Sequence, residues 1–265
     1  MNIFIHEWKS YQKSTMIWTF SLVLLVVVMM LMFPAFATDA ESFIKVLEGY
    51  PQAVRDAFGI DLGTFFSILG FYCYALTMVT LCGAIQAMNL GTSIISKEVR
   101  EKTADFLLTK PVTRHQVLTA KLLAALASLV VTNVVYIAAA SFMAIQVRTE
   151  EFNLSTFILL SLTLFFVQLM FLAIGIIVTV VVPKVKSVLT ISLATVFAFY
   201  FLGMFSSTTG DDAKRYISPF KYFDTAYVME NAGYEIPFLI AGAAVIILAI
   251  GVSYYVYAKK DIHAV

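Results

Sequence analysis

The sequence predicts an all-α, polytopic membrane protein, a single transmembrane domain of six membrane-crossing helices over residues 1–265. Of the residues, 60% are hydrophobic and 13% are charged, whereas about 25% of a soluble domain is charged. The apolar residues gather in six runs of about the 20 helical residues that cross a bilayer. Charged residues lie between these runs, as expected if a charge at a helix centre costs about 2.5–3.5 kcal/mol.

The N-terminal stretch MNIFIHEWKSYQKS precedes the first run and carries Phe4, Trp8 and Tyr11 at helical spacing. This spacing predicts an interfacial helix on the cytoplasmic leaflet, with the rings at headgroup depth; a frayed terminus is the alternative. Ala35–Ala37 has the small residues of a signal-peptidase site. The preceding apolar run is longer than the usual signal core of about 7–15 residues, so we expect the first helix to be retained.

The membrane spans are expected where the apolar runs are long enough to cross the bilayer. They are Met16–Ala37, Thr64–Ile95, Leu122–Val147, Leu154–Val182, Ser187–Phe205 and Ile236–Ala258. Between the first two, Pro51 is expected to begin a short amphipathic helix. The segment Ser207–Glu235 is rich in aromatic residues. We expect it to dip into the outer headgroup region, with Phe220, Tyr222 and Phe223 as a candidate outer gate or as an interfacial anchor.

The charge distribution predicts the orientation. Most of the 18 Lys and Arg residues lie on the side of both termini, and most of the 17 acidic residues lie on the other. By the positive-inside rule, both termini and the segment Ser96–Leu123 are cytoplasmic in a cell membrane. The net charge of +1 gives no reason to expect a nucleic-acid partner.

Missing motifs narrow the chemistry. The sequence has no glycine-rich phosphate loop, so we do not expect this chain to hydrolyse ATP. No predicted span contains an ionisable side chain of the kind that membrane enzymes, metal sites and ion-coupled transporters use. Cys73 and Cys82 are nine positions apart, on opposite faces of one helix, so they are not expected to pair.

Uncharged polar residues do occur inside the spans. Gln86, Asn89 and Ser93 share one face of the second span, and Gln168, Gly175 and Thr179 share a face of the fourth. Hydrogen bonding and close packing between helices would explain both sets. The alternative is that Gln86, Asn89 and Ser93 form a weakly polar wall of a substrate path.

The segment Ser96–Leu123 is the most densely charged part of the sequence. Its apolar residues recur at helical spacing until Pro111, which predicts a short amphipathic helix that ends there. Acidic residues offset much of its basic charge, which favours docking to a protein over binding to anionic lipid. A solvated loop is the alternative.

This segment resembles the first cytoplasmic loop of ABC-2 type transporter permeases. The family pattern runs roughly E-x-x-x-G-T-x-x-x-L-L-x-x-P-V-[ST]-R, followed by a lysine at the start of the third span. The matching residues here are Glu98, Thr103, Leu107, Leu108, Pro111, Val112, Arg114 and Lys121. Lys102 stands where the pattern has glycine. The six-helix layout, the N-terminal helix and the S-P-F-x-Y-F stretch at Ser218–Phe223 are also similar.

The resemblance implies a permease subunit of an ABC exporter that couples to a separate cytosolic ATPase in two copies. ATP and Mg would be bound by that partner, and no cofactor or metal by this chain. A second permease, identical or related, would complete the substrate path. The residues expected to contact the ATPase are Glu98, Val99, Arg100, Glu101, Thr103, Phe106, Leu107, Leu108, Pro111 and Arg114. We expect an amphipathic peptide or lipid-like substrate; the alternative is a scaffold or sensor subunit that transports nothing.

Overall fold

The computed structural model describes residues 3–57, 60–100, 113–182, 185, 187–208 and 212–259, and within them it contains helices and no strand. The helices are α1 (Ile3–Thr38), α2 (Ala40–Glu48), α3 (Gln52–Ala57), α4 (Ile68–Arg100), α5 (Arg114–Val147), α6 (Leu154–Val181), α7 (Val188–Thr208), α8 (Asp212–Arg215), α9 (Thr225–Asn231) and α10 (Ile236–Lys259), with a 3-10 turn at Pro219–Lys221. Six of them, α1, α4, α5, α6, α7 and α10, are long and apolar enough to cross a membrane. The predicted all-α polytopic fold is therefore confirmed.

The first membrane-crossing helix is longer than predicted. The expected interfacial helix and the first span form one continuous helix, α1, because no glycine or proline precedes Pro34 to interrupt it. The rings of Phe4, Trp8 and Tyr11 are partly buried against the hydrophobic core of the bundle. The N-terminal segment thus packs on protein, with its aromatic face towards the other helices.

Helices α4 and α6 pack closely through glycines. A Cβ on Gly91 would lie 2.4 Å from the carbonyl oxygen of Leu172, and one on Gly175 would lie 2.8 Å from that of Met88. Thr179 donates a hydrogen bond to the carbonyl of Thr92, 3.3 Å away. Small residues bring membrane helices to this distance. The predicted packing face of the fourth span is therefore observed.

A capping box starts α5. The Thr113 hydroxyl accepts a hydrogen bond from the backbone N–H of Gln116 at 3.3 Å, and the Gln116 side chain accepts one from the Thr113 N–H at 3.0 Å. These bonds satisfy donors that a helix start leaves unpaired. The helix therefore begins at Arg114, eight positions before the predicted span at Leu122, and it includes Lys121.

Hydrogen bonds between helices define one end of the bundle, here called the basic end. There the start of α1 meets the end of α4, because Lys97 donates to Ser10 at 2.7 Å. The start of α5 also meets the end of α10, because the hydroxyls of Thr119 and Tyr254 are 2.7 Å apart. Helices α2, α3, α8 and α9 join the spans at the opposite end.

Candidate functional site

A polar pocket of about 270 Å³ lies between α1 and α4, in the half of the bundle nearer the basic end. Each of the two helices contributes five lining residues. They are Ser10, Tyr11, Ser14, Thr15 and Trp18 of α1, and Gln86, Asn89, Leu90, Ser93 and Lys97 of α4. The sequence placed Gln86, Asn89 and Ser93 on one face, and the structure brings all three into this lining. Their role in a substrate path stays a prediction.

Lys97 supplies the charge of the pocket. Its ammonium donates a hydrogen bond to the Ser10 hydroxyl and lies 5.6 Å from the centre of the Tyr11 ring. The Tyr11 hydroxyl is in turn 3.4 Å from the Ser93 hydroxyl. Within the described part of the chain, no carboxylate forms an ion pair with Lys97. The groups that contact this half-buried positive charge in the described residues, the Ser10 hydroxyl and the Tyr11 ring, are neutral.

Asn89 lines the pocket, and its side chain has no hydrogen-bond partner in the described part of the chain. The side chain is half-buried, and no hydrogen bond from its amide is found to any residue that the structure describes. Gln86, one turn earlier on the helix, is buried, and its side chain forms hydrogen bonds with two neighbouring helices. Asn89 thus presents its amide to whatever occupies or covers the pocket.

A buried hydrogen-bond network adjoins the pocket and joins α1, α4, α5 and α6. The Gln86 amide donates to the Thr132 hydroxyl at 3.2 Å, which is 2.8 Å from the Thr19 hydroxyl. Gln168 donates to the Gln86 carbonyl oxygen at 2.9 Å and accepts from Asn133 at 2.6 Å. Such networks orient membrane helices relative to one another. Gln86 therefore forms hydrogen bonds between helices, which is one of the two roles considered for its face in the sequence.

Lys121 is the second lysine near this site, and it is fully buried. Its ammonium donates a hydrogen bond to the carbonyl oxygen of Ile94 on α4, 2.5 Å away. The sequence placed Lys121 in the polar segment before the third span, whereas the structure places it inside α5. The helix starts earlier than the apolar run because its cap lies at Thr113.

The residues predicted to contact an ATPase lie in the chain between Ile94 and Lys121, the two residues of this hydrogen bond. Arg114 is the first residue of α5. The backbone of Glu98, Val99 and Arg100 forms the last turn of α4, so that span continues as a helix beyond its apolar run, as predicted. The others, Glu101, Thr103, Phe106, Leu107, Leu108 and Pro111, lie outside the described residues.

The candidate outer gate lies at the opposite end and packs into the helix bundle. Tyr222 and Phe223 are buried. The Phe223 ring stacks on Phe166 at 5.4 Å, and the Phe220 ring contacts Phe171 at 4.9 Å. The rings expected in a headgroup-facing loop therefore have partners on α6.

Polar contacts also hold this aromatic segment. The Tyr222 hydroxyl donates to the Tyr216 carbonyl at 3.0 Å, and burial raises the pKa of the Tyr222 phenol. The Arg215 guanidinium forms an ion pair with Glu235 and lies 4.2 Å from the centre of the Phe238 ring. These contacts fix the segment on α10.

Sequence reasoning missed the α1 side of the pocket and the role of Lys97. Ser10, Ser14 and Trp18 recur every four residues, so a search for polar stripes that enter an apolar run would have found this face. In the sequence, Lys97 served only as one of the basic residues that predict the orientation of the chain in the membrane. Glu7 was also missed. It is buried on the preceding turn of α1 and does not line the pocket, and one of its carboxylate oxygens has no hydrogen-bond partner among the described residues.

Six membrane-crossing helices around polar interhelical contacts define an α-helical multi-pass membrane protein. A family model described as ABC-2 family transporter protein matches residues 1–262, so the chain belongs to the ABC-2 transporter family. It is accordingly the membrane-embedded permease component of an ABC transporter, whose partner is an ABC ATPase. Among curated proteins, no match was found.

Proposed function

We propose that the chain is the permease subunit of an ATP-driven exporter of amphipathic peptides or lipid-like molecules. Two permease copies, identical or related, enclose the path, and two ATPase subunits bind ATP and Mg and drive it. The basic end and both termini face the cytoplasm of a cell whose cytoplasmic membrane holds the protein. Most of the basic residues lie on that side, which supports this orientation.

The observation that carries the proposal is the polar pocket between two membrane-crossing helices, in whose lining the Asn89 amide has no hydrogen-bond partner among the described residues. In hydrocarbon, each unsatisfied polar group costs several kcal/mol, and Asn89 offers an amide without a partner among the described residues. A lipid-facing surface would leave that cost in place. A path between two permeases, filled by water or substrate, removes it.

The pocket wall also connects directly to the predicted ATPase contact. Helix α4 carries Asn89, Ser93 and Lys97 and continues without interruption to Arg100. The Lys121–Ile94 hydrogen bond ties the start of α5 to the same helix. A force on residues 101–112 would therefore act on α4 and α5 together and reach the pocket.

Release at the opposite end is assigned to Phe220, Tyr222 and Phe223. Their aromatic side chains close that end by packing against α6 and α10. Opening would exchange ring–ring contacts for contacts with the apolar part of a substrate. Such an exchange suits an amphipathic molecule better than a hydrated ion.

The test is substrate-stimulated ATP hydrolysis by the chain reconstituted with its ATPase in liposomes. Hydrophobic peptides or lipids should raise the rate, and simple metal or halide ions should not. Stimulation by an ion alone would contradict the proposed substrate class. A stable complex that neither responds to nor moves any amphiphile would instead identify a scaffold or sensor subunit.

A further inference from the structure

The pocket between α1 and α4 changes in character along its length. At the basic end it offers the Lys97 ammonium and the hydroxyls of Ser10 and Ser93; Trp18 lines the end nearer the bilayer centre together with the polar Gln86, and Leu90 lies between the two ends. Trp18 is eight residues beyond Ser10 on the same helix, about 12 Å along the axis. The charged end of the pocket and the Trp18 ring are therefore separated by about the length of a small headgroup and the first carbons of a chain.

The charge of the lining has one sign. Among its ten residues Lys97 is cationic and none is acidic. A half-buried ammonium whose partners among the described residues are neutral keeps much of its attraction for an anion, because partial burial weakens solvent screening. The hydroxyls of Ser10, Ser14 and Ser93 and the Asn89 amide add hydrogen-bond donors beside it.

From this arrangement we propose that the pocket binds the anionic headgroup of an amphiphile, a phosphate or carboxylate, at Lys97, with its apolar chain lying against Trp18 and Leu90. The inference rests on the proposed export function and names the substrate class of its path. The headgroup replaces the Ser10 hydroxyl or joins it as an acceptor for the ammonium. Charge-assisted hydrogen bonds of this kind are about twice as strong as neutral ones.

Trp18 provides a direct probe, because the sequence contains only two tryptophans. In a Trp8→Phe background, the full chain is placed in phosphatidylcholine nanodiscs without the ATPase. Fluorescence is then titrated with phosphatidic acid, a fatty acid and diacylglycerol, each brominated on the acyl chain. The two anionic lipids should quench Trp18 at concentrations about tenfold lower than diacylglycerol does.

Three variants test the role of Lys97. Lys97→Gln should abolish the preference for anionic lipids, and Lys97→Arg should keep it within about threefold. Lys13→Gln removes an exposed charge of α1 that does not line the pocket, and it should keep the preference. Size-exclusion profiles and melting curves establish that each variant folds.

Any of three results would overturn the proposal. Diacylglycerol could quench Trp18 as well as the anionic lipids do when Lys97 is present. The preference for anionic lipids could persist in Lys97→Gln, or it could be lost in Lys13→Gln as well. Inorganic phosphate should not restore fluorescence at millimolar concentration; if it does, the site takes a free anion and not an amphiphile. Because no ATPase is present, failure here leaves export itself standing if the reconstituted complex still responds to uncharged amphiphiles.

Discussion

The buried ammonium of Lys121 on α5 donates a hydrogen bond to the backbone carbonyl of Ile94 on α4. These two helices are the ones that flank residues 101–112, the segment predicted to bind the ATPase. Ile94 neighbours Ser93, which lines the pocket. A contact at this position links the predicted ATPase contact to the pocket wall, and its loss has a measurable consequence.

Lys121→Met should reduce transport per ATP hydrolysed by about fivefold to tenfold, because α5 would no longer move with α4. Methionine fills much of the same volume, and its flexible side chain adapts to irregular gaps in a core. The variant should therefore still fold and bind the ATPase. Lys13→Met, at an exposed position of α1, serves as the control. Unchanged coupling in Lys121→Met would remove the link from the account.

Replacing both Leu107 and Leu108 with Asp should abolish co-purification with the ATPase while membrane insertion continues. The reason is that the predicted docking helix would lose its apolar contact, the kind of buried anchor that dominates interface energies. Val46→Asp with Tyr50→Asp is the matched control, since both side chains are exposed at the opposite end of the bundle. Pull-down of an equal amount of ATPase by the leucine variant would contradict the docking assignment.

Glu98→Ala should lower transport relative to ATP hydrolysis without releasing the ATPase. Charges at the rim of an interface orient the partners and contribute modestly to affinity. The measurement compares ATPase rate and transport in the same liposomes, with Glu150→Ala at the opposite end as the control. If both rates equal those of the unsubstituted protein, Glu98 is a solvated charge.

Gly91→Ala should destabilise the bundle by about 1–3 kcal/mol, since the added methyl group would collide with the α6 backbone. Gly251→Ala is the control because a Cβ there meets nothing within 4 Å. Melting curves of the purified chain should show a clear decrease for the first variant and almost none for the second. Equal curves would mean that α4 and α6 separate more easily than their packing indicates.

The sequence predicted the spans well because hydrophobic length alone determines which helices cross a membrane. It also predicted that Gln86, Asn89 and Ser93 share a face, because that depends only on helical periodicity. The α1 half of the pocket depends on how two helices pack, which periodicity does not determine. Helix α2 (Ala40–Glu48) was not predicted, because a helix of nine residues is too short to appear as a membrane-crossing apolar run.

The burial of the two lysines shows the same limit. Lys97 and Lys121 lie next to apolar runs, where a count of charges by loop treats them as solvated. In the structure the Lys121 ammonium donates a hydrogen bond to the Ile94 carbonyl of α4, and the Lys97 ammonium donates one to the Ser10 hydroxyl of α1. The residues in these contacts are 27 and 87 positions apart in the sequence. No local signal distinguishes such lysines from ordinary interfacial ones, which extend their charge towards water.

The central claim is that substrate passes along the pocket between α1 and α4 when the ATPase turns over. The most direct test is ATP-dependent movement of a labelled amphiphile across the membrane of liposomes that contain the reconstituted complex. Ser14→Trp fills the pocket in this assay. Ser21→Trp, on an exposed face of α1, is the matched control. The account predicts ATP-dependent transport that falls at least about tenfold in Ser14→Trp, with ATPase binding retained, and persists in Ser21→Trp. Transport at the full rate with the pocket filled would contradict it.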